Sequence, residues 1–134
     1  MSDATTATDG PTVSLKLEFG GGMELLFDNE HEHKVDVPRF YDPASLVEAT
    51  AKAHPAAAPR PASGKQTDIK FLIWWMRWYL LSDKDRPELF SQGESIRPGI
   101  LILINSTDWE LEGELEYELV DGDEIVFIST LHGG

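Results

Sequence analysis

The sequence predicts an α+β chain in which a mixed sheet carries one main helix across one face. Three observations predict it. Val13, Leu15, Leu17 and Phe19 alternate with polar residues, the period of two that marks a half-buried strand. Ile69, Leu72, Ile73, Met76 and Leu80 repeat at the i, i+3, i+4, i+7 spacing of a helix with one buried face. Ile125-Val126-Phe127-Ile128 follows the turn residues Asp121-Gly122-Asp123, so the chain closes on a strand.

Taken in order, residues 1–11 are small and polar and end at Gly10-Pro11, so a flexible N-terminal tail is expected, with the folded domain over 12–134. Gly20-Gly21-Gly22 then offers the backbone freedom of a hairpin turn. Met23, Leu25 and Phe27 are expected on the returning strand. A polar stretch over 28–32 interrupts it before residues 33–37 resume extended structure, with Val35 and Val37 facing inward and Pro38 ending the run. His31 and His33 share a strand face, but two histidines without a third ligand make a poor metal site, and exposed edge residues are expected.

Residues 42–66 shift to alanine and proline and are expected to loop off the domain as an insertion. Asp42-Pro43 is suited to cap a short helix running to Ala53. Thr67 is expected to cap the main helix, with Asp68 at the positive end of its dipole. Trp74, Trp75, Trp78 and Tyr79 widen the apolar stripe, and packing or a partner contact is the expected use for them.

Residues 83–87 break the helix, and Glu88-Leu89-Phe90 is expected to cover one end of the core. Arg97-Pro98-Gly99 forms a turn. Ile100-Leu101-Ile102-Leu103-Ile104 is apolar on both faces, as in a central strand covered on each side or placed beside an apolar patch. Residues 105–108 have turn chemistry, Trp109-Glu110-Leu111 is expected to be extended, and the last strand is expected over 124–130. An initial hairpin, one helix, and later strands describe a β-grasp sheet in which the first and last strands pair in parallel at the centre. By alternation Ile125 and Phe127 face the helix, while Val126 and Ile128 face outward as a candidate partner surface.

Composition excludes several function classes. The formal net charge is −13, from 24 acidic and 11 basic residues. Such a surface does not grip nucleic acid, which needs Lys and Arg clusters, and it suits docking on basic patches of a partner. There is no cysteine, hence no thiol nucleophile and no thiolate metal site. No basic region followed by an apolar run opens the chain, and the apolar-rich stretch 69–81 is too short to span a bilayer. A soluble, cytoplasmic monomer without membrane attachment is expected. No Gly-rich phosphate loop opens a helix, and the histidines lack nearby serine partners, so the chain is not expected to be an enzyme.

That leaves the end of the chain. Ser129-Thr130-Leu131-His132-Gly133-Gly134 forms a tail of residues 129–134, expected to be mobile, whose last two residues carry no side chain. Such an end can extend into a narrow channel.

Four tracts carry a resemblance: Ser95-Ile96-Arg97-Pro98-Gly99-Ile100; Leu103-Ile104-Asn105; Asp108-Trp109-Glu110-Leu111-Glu112-Gly113-Glu114; and Ile128-Ser129-Thr130-Leu131-His132-Gly133-Gly134. In this order they resemble the eukaryotic ubiquitin-related modifier, a ubiquitin-like protein also similar to bacterial sulfur carriers. The resemblance is dense over 88–134, looser over 13–37 and the helix, and absent from the first eleven residues. The insertion over 42–66 is longer than the family's connection.

The resemblance implies a carrier that is itself a substrate. An activating enzyme of the ubiquitin-activating type, with a rhodanese-like domain, would use ATP and a sulfur donor to adenylate Gly134 and convert it to a thiocarboxylate. A tRNA-thiolating enzyme pair would then place that sulfur on the wobble uridine of cytosolic tRNAs. The same terminus would be joined to lysines of target proteins. No metal or bound cofactor is implied. Gly133, His132, Leu131 and Thr130 would be read by the partner, with Leu131 in an apolar pocket and His132 as a positioning residue or spacer. Two other readings compete: the small sulfur-carrier subunit of a molybdopterin synthase, and a β-grasp binding module with an inert tail.

Overall fold

At the centre of the molecule, β1 (Thr12–Gly20) and β9 (Glu124–Ser129) lie side by side in parallel, from Lys16 opposite Glu124 to Gly20 opposite Ile128. β2 (Glu32–Pro38) pairs antiparallel with β1 on one side, and β7 (Ile100–Ile104) pairs antiparallel with β9 on the other. β8 (Thr107–Asp108) completes a five-stranded sheet of order β2-β1-β9-β7-β8. This computed structural model describes residues 10–46, 64–82, 85–93 and 95–129. Expectations for residues 1–9, for a helix reaching Ala53, for most of the alanine- and proline-rich segment, and for Thr130 to Gly134 lie outside the described residues.

One helical segment crosses the sheet. It begins as α1 (Ile69–Trp75) and widens into a π turn over Met76–Leu80, where the Leu81 amide reaches back to the Met76 carbonyl at 2.8 Å. Ile69, Leu72, Ile73 and Met76 are buried in one core with Val13, Leu15, Leu17, Phe19, Ile125 and Phe127. Trp75 is buried as well, while Trp74, Trp78 and Tyr79 are half-buried. Phe127 stacks on Phe19 at 5.7 Å and meets Phe90 edge-on at 5.9 Å, so Phe90 does cover one end of the core.

Asp68 caps the helix rather than Thr67. Its buried carboxylate accepts from the Phe71 amide at 3.0 Å, from Lys65 Nζ at 2.9 Å and from the Tyr41 hydroxyl at 3.0 Å. Thr67 has another partner: its hydroxyl donates to the Pro38 carbonyl. Its amide donates to the Arg39 carbonyl at 2.9 Å. β3 (Phe40–Tyr41) and β4 (Lys65–Gln66) form a two-stranded clasp here. Both ends of the 42–66 segment are thereby tied to the domain. Asp42 caps a 3-10 turn over Pro43–Ser45, with the Ala44 amide on its carboxylate at 3.0 Å.

Two expected strands are absent. Residues Met23–Leu26 form a 3-10 turn, and the strand that returns beside β1 is Glu32–Pro38. Leu25 is accordingly exposed, whereas Met23 and Phe27 are buried. Three glycines let the chain coil immediately instead of reversing flat, so the apolar period of two over 23–27 is satisfied by a tight turn. Trp109–Leu111 is likewise a 3-10 turn capped by Asp108, which buries Trp109 and leaves Leu111 exposed. Another short antiparallel pairing joins β5 (Ser91–Gln92) to β6 (Ser95–Ile96).

Candidate functional site: the exit of the last strand

Everything expected of the tail depends on where β9 delivers it. β9 is apolar in both directions because its two faces do different things. Ile125 and Phe127 are fully buried beneath the helix, while Val126 and Ile128 are half-buried and are not among the residues packed on the core. In the antiparallel register Leu101 lies opposite Ile128 and Leu103 opposite Val126. These four half-buried side chains form an apolar patch on the outer face of the sheet.

The start of β9 is pinned by polar bonds. Asp123 is almost fully buried and accepts from Tyr117 Oη at 2.9 Å, from the Val120 amide at 3.0 Å and from Asn105 Nδ2 at 2.9 Å. The other end of the Asn105 amide accepts from the Glu124 amide at 2.9 Å. Burial, followed by the Asp123 hydrogen bond and charge, pushes the Tyr117 hydroxyl well above its usual range. Asp121 closes the same turn, accepting from Arg39 Nη2 at 2.7 Å and from the Ser14 amide at 2.9 Å.

At its far end β9 leaves the sheet between two glycine turns. Ile100, following the Arg97-Pro98-Gly99 turn, pairs with Ser129 on one flank. On the other flank stands Gly21, at φ 65°. A Cβ on Gly21 would collide with the Ser129 carbonyl oxygen and lie 3.1 Å from the Ser129 nitrogen. Gly20 pairs with Ile128, and a Cβ there would meet only Ile128 Cγ1 at 3.8 Å, an ordinary contact.

Of the residues singled out in the sequence, Val126 and Ile128 are where alternation places them, whereas Thr130, Leu131, His132, Gly133 and Gly134 lie outside the described residues. Leu101, Leu103 and Gly21 complete the exit and were not singled out. Apolar residues on both faces of 100–104 signalled the first two. Nothing in the sequence distinguishes Gly21 from its neighbours. His31 and His33 are on or beside the edge strand, and their rings lie 3.3 Å from the Phe19 carbonyl and 3.0 Å from the Phe27 carbonyl. Among the described residues no cluster of His, Asp or Glu could hold a metal ion, and no helix is long and apolar enough to cross a membrane.

A β-grasp sheet with its helix on one face, and with a central last strand emerging beside an apolar patch, defines a small ubiquitin-like protein. Comparison with known proteins narrows the class. Residues 14–134 match the family model described as Urm1 (Ubiquitin related modifier). The chain is 51% identical over 128 residues to ubiquitin-related modifier 1 of Laccaria bicolor, covering 96% of this chain and 99% of that protein. It is 47% identical over 122 residues to the Homo sapiens protein of the same name, covering 91% and 96% of the two. The solution structure of Urm1 from Trypanosoma brucei superposes with a TM-score of 0.61 at 31% identity, over 93% of this chain and 99% of that one. The chain belongs to the ubiquitin-related modifier family, whose members are small modifier or carrier proteins and not catalysts.

Proposed function

We propose that the chain is a sulfur carrier and protein modifier whose reactive group is the carboxylate of Gly134. A carboxylate is a poor electrophile at neutral pH, so it has to be activated before any transfer. In the proposed sequence a carboxylate oxygen attacks the α-phosphorus of ATP and pyrophosphate leaves, giving an acyl-adenylate. A persulfide that the sulfur donor has placed on the activating enzyme's rhodanese-like domain then attacks the acyl carbon and displaces AMP, giving an acyl disulfide. A thiol attacks the enzyme-side sulfur of that bond, so that a disulfide forms on the enzyme and a thiocarboxylate leaves on Gly134. That sulfur is passed to a tRNA-thiolating enzyme pair for the wobble uridine of cytosolic tRNAs. When the amine of a target lysine attacks the acyl-adenylate carbonyl instead, AMP leaves, the nitrogen gives up a proton and an isopeptide bond results.

The observation that supports this reading is the placement of β9, the strand that precedes the tail. That strand is held on both sides by the sheet and ends beside an apolar patch of Leu101, Leu103, Val126 and Ile128. A partner can therefore grip a rigid face while the last residues enter its active site. The chain offers no cysteine of its own, so the sulfur must come from a donor. Its charge of −13 suits delivery to a separate RNA-binding enzyme rather than binding of tRNA by the carrier.

The test is intact mass after incubation with ATP, the activating enzyme and a sulfur donor. Replacement of one oxygen by sulfur, mapped to Gly134, is expected. An unchanged mass with partner enzymes that load another carrier would overturn the proposal. Removal of Gly133 and Gly134 should abolish loading and leave the fold intact.

A further inference from the structure

We infer that Gly21 is a positioning residue for the reactive tail. The inference rests on the carrier reading above and adds a residue from the opposite end of the sequence. β1 stops at Gly20, and the chain turns through Gly21 at φ 65° and Gly22 at φ 98° into the 3-10 turn over Met23–Leu26. The two glycines have similar backbone demands but different surroundings. A Cβ on Gly22 would meet nothing within 4 Å, while one on Gly21 would run into backbone atoms of Ser129, with its oxygen closest, its nitrogen at 3.1 Å and its carbonyl carbon at 3.2 Å.

Ser129 cannot yield without consequence. It is the last paired residue of β9 and is held by Ile100 on its other flank. A side chain at position 21 would therefore move the Ser129 carbonyl, and that carbonyl sets the direction in which Thr130 departs. The absence of a side chain at position 21 serves the aim of the tail, in addition to the turn. With the sheet face docked and the tail drawn out into the enzyme's channel, Ser129 fixes one end of that span, and misplacing a reacting group by about 1 Å costs on the order of 100-fold in rate, so a shifted root should be felt at Gly134. The three atoms nearest that Cβ all belong to the Ser129 backbone and none to the side chains of the outer-face patch, so docking and chemistry should separate.

The experiment compares Gly21→Asn with Gly22→Asn in the full chain, because Asn accepts positive φ better than other residues with a Cβ. Initial rates of thiocarboxylate formation with the activating enzyme give kcat and KM, and thermal unfolding is recorded alongside. G21N is expected to lose about tenfold or more in kcat with KM nearly unchanged, while G22N keeps the wild-type kcat. Equal kcat for the two variants would overturn the inference. Gly21→Ala, which adds the same first carbon with the least bulk, is assayed in parallel in the cold in case G21N does not fold. A folded G21A with wild-type kcat overturns the inference equally. If the wild-type chain itself takes up no sulfur, the carrier reading fails instead. The exchange rate of the Ser129 amide in the two Asn variants then decides the matter: faster exchange in G21N alone supports the contact, and equal rates overturn it.

Discussion

Arg39 Nη2 and Asp121 Oδ2 stand 2.7 Å apart, joining the end of the second strand to the turn that launches the last one. Arg39 also donates to the carbonyls of Gly10 and Thr12, and Asp121 also accepts from the Ser14 amide. Both side chains are largely shielded from water. Arg39→Ala would take their Arg39 donors from Asp121 Oδ2 and from the carbonyls of Gly10 and Thr12. A loss of about 2 kcal/mol in unfolding free energy is expected, read from urea melts.

The same pair predicts an acid dependence. Burial by itself raises the Asp121 carboxyl, but the Arg39 hydrogen bond, the Ser14 amide and the Arg39 charge together outweigh it and hold it below its ordinary 3.8. The unfolded chain therefore binds this proton first as the solution is acidified. The stabilisation is complete above the unfolded value and is lost as pH falls through the lower folded one. Asp121→Asn should flatten the fall of the urea midpoint between roughly pH 5 and pH 2.

Tyr117 gives the opposite limb. Its hydroxyl is raised by burial first and then by Asp123, so the folded state keeps a proton that the unfolded chain releases near 10. Stability from this group is full below that pH and is lost as the solution becomes more alkaline. Tyr117→Phe should lower stability by about 1 kcal/mol at neutral pH and reduce the alkaline slope above roughly pH 10. Urea melts from neutral to alkaline pH check both.

Adjacent residues of β9 should behave in opposite ways. Phe127 is fully buried against Phe19 and Phe90, so Phe127→Ala is expected to cost about 3–5 kcal/mol. Val126 and its cross-strand neighbour Leu103 are half-buried on the outer face. The double variant Leu103→Ala, Val126→Ala should keep most of the stability and raise KM for the activating enzyme about tenfold, with kcat unchanged. Thermal melts and initial loading rates separate these outcomes.

The period of two in Val13, Leu15, Leu17 and Phe19, and the helical spacing from Ile69, were enough to place the core, because burial on one face leaves a direct mark on residue choice. The parallel pairing of first and last strands followed from the order of elements. Local geometry was less legible. Met23, Leu25 and Phe27 alternate like a strand, yet Met23–Leu26 form a 3-10 turn with Phe27 just after it, since three preceding glycines remove the steric reasons for an extended return. Thr67 and Asp68 are both good caps in isolation, and tertiary contacts decide between them: Lys65 and Tyr41 on Asp68, and the Pro38 carbonyl on the Thr67 hydroxyl. At the site, Val126 and Ile128 could be read by alternation, whereas Leu101 and Leu103 needed the register that seats them opposite. Gly21 was hidden for a different reason: its importance lies in a side chain it lacks and in a neighbour more than a hundred positions away.

Because β9 is central, the strand that leads to the proposed reactive tail is held in the sheet as far as Ser129. Freeing Ile128 and Ser129 would break the ladder to Ile100 and Leu101, and Ile128 is also held in register with Gly20. Gly134 lies five residues beyond Ser129. At about 3.4 Å per extended residue, its carbonyl can be presented no farther than roughly 17 Å from the sheet. The fold thus acts as a ruler. An enzyme that acts on Gly134 has to bring its reaction centre within that span, since further length could come only from unpairing the end of β9.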